Sequence, residues 1–298
     1  MIKIKRGVDN MKKYLSIGFF CILFSIDICI VYYLCKNFQY CLFAAAIILL
    51  IVWVYTRYVI YKQKKMCIEL DDPYAKNVLL QCFTEIVYLG ENRENKKLSN
   101  ITLYIVDNDC LNAFALPNCI FVERVFLYTF LEREDIIKGV LSHEISHILR
   151  KDCYFKALVQ LNILAISALL LFIQVGVVYV VVFSICIVFS ILFNGVSTEF
   201  SSALSTFFST FFNLTRKLVY YINLFIATLF FRLQEIIADA YAVKLGYGES
   251  LIMFFEETSK LNSGKRSLME ILYDEHPAGE RRIKKVRKEI QKIKKSSC

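Results

Sequence analysis

Two histidines four residues apart, with a glutamate directly after the first, occur in His143-Glu144-Ile145-Ser146-His147. Residues at i and i+4 share one face of an α-helix, so both imidazoles can grip a single ion. Glu144 lies beside the first imidazole. There it can take the proton of a water attacking a peptide carbonyl without itself ligating the metal. The chain has only three His residues, and two of them fall in this run. The competing reading is a chance match on an ordinary amphipathic helix. Such a helix is expected over residues 135–150, where Ile136, Ile137, Val140, Leu141, Ile145, Ile148 and Leu149 recur with the 3.6-residue period. Glu134 and Asp135 favour its N-terminal end electrostatically.

A catalytic zinc site needs a third protein ligand and one open position. The best placed acid is Glu235, in Arg232-Leu233-Gln234-Glu235-Ile236-Ile237-Ala238-Asp239. Asp239 is one helical turn further on, so both carboxylates face the same way. One would bind the metal and the other would accept the second-ring N–H of a ligating histidine. The alternative is a solvated acidic face on a surface helix. His276, in Glu275-His276-Pro277, is either a hydrogen-bond donor to the oxyanion of a tetrahedral intermediate or a surface-loop residue before a proline turn. Two His and one Glu favour Zn2+, one ion per chain, over other divalent metals.

The elements that position these residues include membrane segments. Hydrophobic residues make up 57% of the chain and charged residues 21%, with 25 Phe, an excess over soluble domains that implies lipid-facing surface. Residues 15–35 and 41–60 read as two spans joined by a short turn. Asp27 inside the first is either a functional intramembrane acid or a polar contact between helices. Residues 157–198 contain no charged residue. A single helix of that length would be roughly 60 Å long, about twice the hydrocarbon thickness, so two spans broken near Gln174-Val175-Gly176 are expected. Lys3, Lys5, Arg6, Lys12 and Lys13 before the first span, and Lys62, Lys64 and Lys65 after the second, put both termini and the first soluble segment in the cytoplasm. Residues 199–216 alternate a Phe-rich face with a Ser/Thr face. They are expected to form an amphipathic helix at the membrane interface or on the soluble domain. The apolar run 218–231 is short for a span, and is read as part of the helix that delivers Glu235. The eleven Cys residues form no C-x-x-C pair and read as reduced thiols.

Three blocks together carry a family resemblance: Asn112-Ala113-Phe114-Ala115-Leu116-Pro117, then Gly139 through His147, then Glu235 through Asp239, with His276-Pro277 and Arg282-Ile283 following. The sequence resembles the HtpX-type membrane metallopeptidases, relatives of the CAAX prenyl endopeptidases, over about residues 15–283. The resemblance implies a zinc endopeptidase acting on membrane proteins, often in quality control. It implies His143, His147 and Glu235 as ligands, Glu144 as general base and Asp239 as the residue orienting a ligand. It further suggests His276 as oxyanion stabiliser, Arg282 as a support residue, and Asn112 and Ala113 on an edge strand that pairs with extended substrate. After the first block the family usually carries glycines, and this chain has Asn118-Cys119.

The expected fold class is a mainly α membrane protein: four transmembrane helices and a cytoplasmic α+β zincin-like metalloprotease domain. A basic cytoplasmic N-terminus (1–14) leads into a first transmembrane hairpin (15–61). The catalytic domain is discontinuous. Its first segment (62–155) carries the His-Glu-x-x-His run and is followed by a second hairpin (156–194). Residues 195–298 hold the amphipathic helix, the remaining catalytic segment with the third zinc ligand, and a basic tail. A helix at 72–89 and strands at 101–106, 113–116 and 120–123 are expected in the soluble region. Glu235 must share a side of the membrane with His143, so an even number of spans must separate them. The tail 281–295 carries nine Lys or Arg and is read as a helix at an anionic leaflet or a solvated basic helix, not a nucleic-acid site. The expected protein is a multi-pass enzyme of a bacterial-type cell membrane, cleaving membrane or misfolded proteins. Alternatives are a sensor protease cleaving one regulator, or an inactive membrane scaffold.

Overall fold

The computed structural model describes residues 38–95, 100–108, 110–193, 198–261 and 279–297, with single positions 25, 28, 29, 32, 33, 36 and 98. Most of the expected first span, including Asp27, and His276 lie outside the described residues. The chain divides into two compact units, Met1–Leu158 with Leu229–Cys298, and Val159–Thr228.

In the first unit, α1 (Phe38–Lys64) leads through β1 (Cys67–Ile68) into α2 (Pro73–Glu94). Asp72 starts α2 by accepting hydrogen bonds from the backbone N–H of Tyr74 (2.9 Å) and Ala75 (3.3 Å), with Pro73 at the first helical position. The helix runs five residues past its expected end, to a left-handed Asn95 cap. Strands β2 (Thr102–Val106), β3 (Ala113–Leu116) and β4 (Cys119–Glu123) complete a sheet of order β1-β2-β4-β3. Only the β2–β4 pair is parallel. Strand β4 is buried along its whole length, and its side chains alternate between two clusters. Ile120 and Val122 join the main core, while Cys119 and Phe121 turn to the other face, where Phe121 stacks on Tyr104 and Phe114. The β3–β4 turn is two residues, Pro117 and Asn118, with Asn118 at φ 57°. Asn tolerates that left-handed geometry, so the turn closes without a glycine.

The short α3 (Arg124–Thr129) precedes α4 (Glu134–Arg150), the helix of the His-Glu-x-x-His run. Its apolar face packs on β3, β4, α2 and α7 (Gly248–Leu261), the last not among the elements expected from the sequence. Gly139 allows that approach, since a Cβ there would meet the Ser250 Cβ at 3.0 Å. The terminal α8 (Gly279–Ser297) is longer than the expected tail helix and lies on α7. Ile283 and Val286 are buried in the core, and Ile290 and Ile293 pack against it. The apolar stripe that suggested membrane insertion is therefore used inside this unit, and only the basic face is left outward.

In the second unit the expected break near Gln174-Val175-Gly176 is absent. Helix α5 (Asp152–Phe193) runs for 42 residues without interruption, and α6 (Thr198–Leu245) returns for 48. Gly176 would meet nothing within 4 Å if it carried a Cβ, and a lone glycine without proline or a bulge does not kink a helix. The two helices are antiparallel: Gln174 Nε2 donates to Asn213 Oδ1 (3.5 Å), Cys186 Sγ contacts Ser201 Oγ (3.5 Å), and Phe189 meets Phe200 at 4.6 Å. The parity requirement thus needs only one helix out and one back. The amphipathic segment and the run 218–231 both belong to α6. Its polar face does not seek water. Ser201, Ser205 and Ser209 are half-buried, and the hydroxyls of Ser202, Thr206, Thr210 and Thr215 donate to carbonyls three or four residues back at 2.8–3.0 Å. With these hydroxyls satisfied locally, the surface suits lipid. Among the described residues three helices are long and apolar enough to cross a membrane: Leu42–Lys64, Asp152–Ile191 and Thr198–Leu245. The described cysteines Cys29, Cys67, Cys82, Cys110, Cys119, Cys153 and Cys186 are free thiols.

The register of this hairpin is open to chemical test. A Ser201→Cys variant is expected to form an intramolecular disulfide with Cys186 under mild oxidation, detected by mass spectrometry of the digest. Failure to cross-link, with both thiols open to alkylation, would count against this pairing of α5 with α6.

Candidate metal centre

Helix α4 carries both histidines on its buried face, with His143 at 5% and Glu144 at 7% exposure. Glu235 arrives from α6, one turn beyond Phe231, which is buried edge-on against Phe155 at 6.2 Å. The Nε2 atoms of His143 and His147 are 3.1 Å apart. His143 Nε2 lies 3.4 Å from Glu235 Oε2, and His147 Nε2 lies 3.4 Å from Glu235 Oε1. A tetrahedral zinc with arms of about 2.0–2.1 Å requires ligand atoms roughly 3.3 Å apart, a spacing that the Nε2–Nε2 distance and each Nε2–carboxylate distance approach. Among the described residues this His-His-Glu group is the one cluster able to hold a metal ion.

The other ring nitrogens point outward to acids. His143 Nδ1 meets Asp239 Oδ1 at 2.9 Å, and His147 Nδ1 meets Asp152 Oδ2 at 2.7 Å. An Nδ1–H donated to a carboxylate fixes the tautomer and leaves the Nε2 lone pair facing the centre. Arg282, from α8, closes a fork on Asp239, with Nε to Oδ2 at 2.9 Å and Nη2 to Oδ1 at 2.6 Å. Its guanidinium lies over the Phe255 ring at 4.2 Å, and its Nη1 is 3.5 Å from Glu235. Glu235 and Asp239 are 1% and 2% exposed, so neither belongs to a solvated acidic face.

The structure therefore brings together His143, Glu144, His147, Glu235, Asp239 and Arg282. Ala113 begins the edge strand β3, which packs beside α4, and exposed Asn112 precedes it, its carbonyl accepting the Glu123 N–H at 3.1 Å. Asp152 and Arg150 are not predicted by the sequence pattern. The signal available is an acid five residues beyond His147, which helical periodicity alone would turn away from that ring.

A family model for peptidase family M48 matches residues 79–290. This chain belongs to peptidase family M48. Membership places it among metallopeptidases that act on peptides or proteins and depend on zinc, in line with the HtpX-type resemblance, and its apolar helices make it a membrane member. No curated protein matches the chain. Among solved structures it is similar to the crystal structure of Ste24p from S. mikatae, at 17% identity and a TM-score of 0.44, covering 96% of this chain and 66% of that one. The M48 chain thus spans just under two thirds of that protein's length.

Electrostatics give the site a pH signature. Burial opposes charge on His143, but the hydrogen bonds to Asp239 and Glu235 outweigh it and raise the imidazole to about 9. His147 is likewise raised, burial being outweighed by Asp152 and Glu235. In the metal-free protein these protons must leave before Nε2 can ligate. Zinc affinity is expected to rise with pH up to about 9, by about tenfold per unit for each proton displaced. The metal-free fold should behave oppositely. A folded-state value above the ordinary 6.5 contributes stability that is complete below pH 6.5 and lost as pH rises through about 9. Chelator competition and thermal unfolding across this range check both slopes, and a flat zinc affinity would refute the proton coupling.

Proposed function

We propose that this chain is a zinc-dependent endopeptidase that hydrolyses peptide bonds of membrane or misfolded proteins at a cytoplasmic active site in a bacterial-type membrane. The observation that carries the reading is the Nε2–Nε2–carboxylate triangle with both Nδ1 atoms tied to aspartates. His143, His147 and Glu235 would hold one Zn2+. Zinc bound there supplies Lewis acidity, acidifying a water molecule and polarising the scissile carbonyl.

The protein's own groups do the rest. Glu144 takes the proton of the attacking water and returns it to the departing amine. Asp239, gripped by Arg282, keeps His143 in the ligating tautomer. Strand β3 is paired on one side by β4 and ends the sheet, so its free edge is available to an extended substrate segment beginning at Asn112 and Ala113. His276 donates a hydrogen bond to the oxyanion. Four spans are assigned: residues 15–35, α1, α5 and α6. Basic residues flanking the first two support a cytoplasmic catalytic unit. The inactive-scaffold alternative is disfavoured by burial. Replacing buried ion pairs with packed apolar residues is often neutral or stabilising, so a mere scaffold has no reason to keep this many buried charges.

Glu144→Gln is expected to retain zinc at wild-type stoichiometry and to lose cleavage of an unfolded model protein by at least about a hundredfold, as removal of a general base does. Loss of zinc together with activity, or activity left intact, would remove Glu144 from the base role. His276→Ala is expected to lower kcat by about 10²–10³ with KM nearly unchanged. A rise in KM alone would assign that residue to substrate binding instead.

A further inference from the structure

The two histidines are held by parallel arrangements, yet only that of His143, through Asp239 and Arg282, is among the expectations from the sequence. We propose that Asp152, locked by Arg150, is the positioning residue for His147. The pair also sets the spacing between His147 and Glu235. This rests on the reading of the triangle as a zinc centre.

The backbone makes the contact possible. In an unbroken helix, residue 152 would lie about 140° around the axis from residue 147, at about 100° per residue, and its side chain would miss the ring. Helix α4 instead stops at Lys151, which takes a left-handed conformation (φ 59°), and α5 starts afresh at Asp152. That elbow swings the carboxylate back to His147 Nδ1 at 2.7 Å. A non-glycine residue in this region is disfavoured by its Cβ, so the elbow must be held by its surroundings. Arg150 holds it. Its Nε and Nη2 both donate to Asp152 Oδ2, the Nε at 3.1 Å. The same Nη2 donates to the backbone carbonyl of Gln234 at 2.9 Å.

One carboxylate oxygen therefore receives His147 and Arg150 together, while the other oxygen of Asp152 has no hydrogen-bond partner. The whole hold of this acid converges on a single point beside the ring. Asp152 is 2% exposed and the Arg150 side chain 6%, so the pair works in a low-dielectric setting where such bonds are strong. The Gln234 carbonyl belongs to the residue immediately before Glu235. Through it the elbow at the end of α4 is joined to the turn of α6 that presents the third donor. Asp239 and Arg282 do the equivalent for His143 from the opposite side, and neither touches His147 Nδ1.

The test measures zinc dissociation constants by competition with a chromophoric chelator, on the purified full chain, beside the melting temperature of each metal-free form. Asp152→Ala is expected to bind zinc about 10–100-fold more weakly, the usual loss for a partner of a ligating histidine. Asp152→Asn should lose less, because its amide oxygen still accepts the Nδ1–H. Arg150→Lys should lie nearer to wild type than Arg150→Ala. KM for a peptide at saturating zinc should stay within about twofold, since neither residue is placed against substrate. A merely structural role would lower the metal-free melting temperature and leave zinc affinity unmoved, and that result overturns the proposal. If Asp152→Ala does not fold, the Asn and Arg150 variants decide, and wild-type zinc affinity in all of them is equally fatal. Wild-type protein that takes up no zinc would instead defeat the reading of the triangle as a zinc centre, and this inference with it.

Discussion

Burying charge is the constraint around which the catalytic unit is organised. Glu144, Asp152, Glu235 and Asp239 sit in one dry neighbourhood with the guanidiniums of Arg150 and Arg282. Four carboxylates against two guanidiniums leave two negative charges. Isolated charges of that kind are far too costly to keep out of water, so something must cancel them. Protons on the histidines offset this charge when no metal is bound, which is why both rings are pulled towards the protonated form. A divalent cation does so with the rings neutral and their Nε2 atoms turned inward. Protons and a divalent cation therefore compete for the same two Nε2 atoms.

Much of the surrounding architecture follows from supplying those groups from distant stretches of the chain. The two histidines come from α4, the third donor from α6 after an intervening membrane hairpin, and Arg282 from the last helix. Each must arrive within about half an ångström of its working position. Rigid elements and close packing achieve this: Gly139 lets α7 approach α4, Phe231 packs on Phe155 one turn before Glu235, and Arg282 is pressed on Phe255. Helix α8 matters for the same reason. Its Ile283 and Val286 anchor it in the core beside the arginine, so its apolar face serves to deliver one guanidinium.

The elements legible in the sequence are those where local pattern and tertiary environment agree. The 3.6-residue period over α4 matches a single buried surface, and the two-residue alternation through β2 sorts its side chains between the clusters on the two faces of the sheet. The same applies to the spacing of His143 and His147 on one helical face. What is not legible depends on contacts that a linear pattern does not encode. Asp152 reaches His147 only because Lys151 leaves helical geometry, and nothing in the residue type of a lysine announces that. The apolar stripe of α8 looks the same whether it meets lipid or protein core. Strand β1 is two residues long and carries no period to read, whereas α7 does carry one, with Leu251, Ile252 and Phe255 on its buried face.

The membrane hairpin shows the same ambiguity from the other side. An alternating Phe and Ser/Thr pattern is the signature of an interfacial helix when the hydroxyls are assumed to need water. In α6 they do not. The threonines bond back to their own helix, and the Ser201 hydroxyl meets Cys186 Sγ of α5 at 3.5 Å. Hydroxyl content therefore measures how a helix meets a neighbouring helix as much as how it meets solvent. The uncharged length of α5 is consistent with this. A run too long for one bilayer crossing invites the expectation of a break, but no residue within it gives the backbone a reason to turn. Length alone constrains how a helix can be accommodated in a bilayer, by tilt or by projecting beyond it, and does not dictate where the chain reverses.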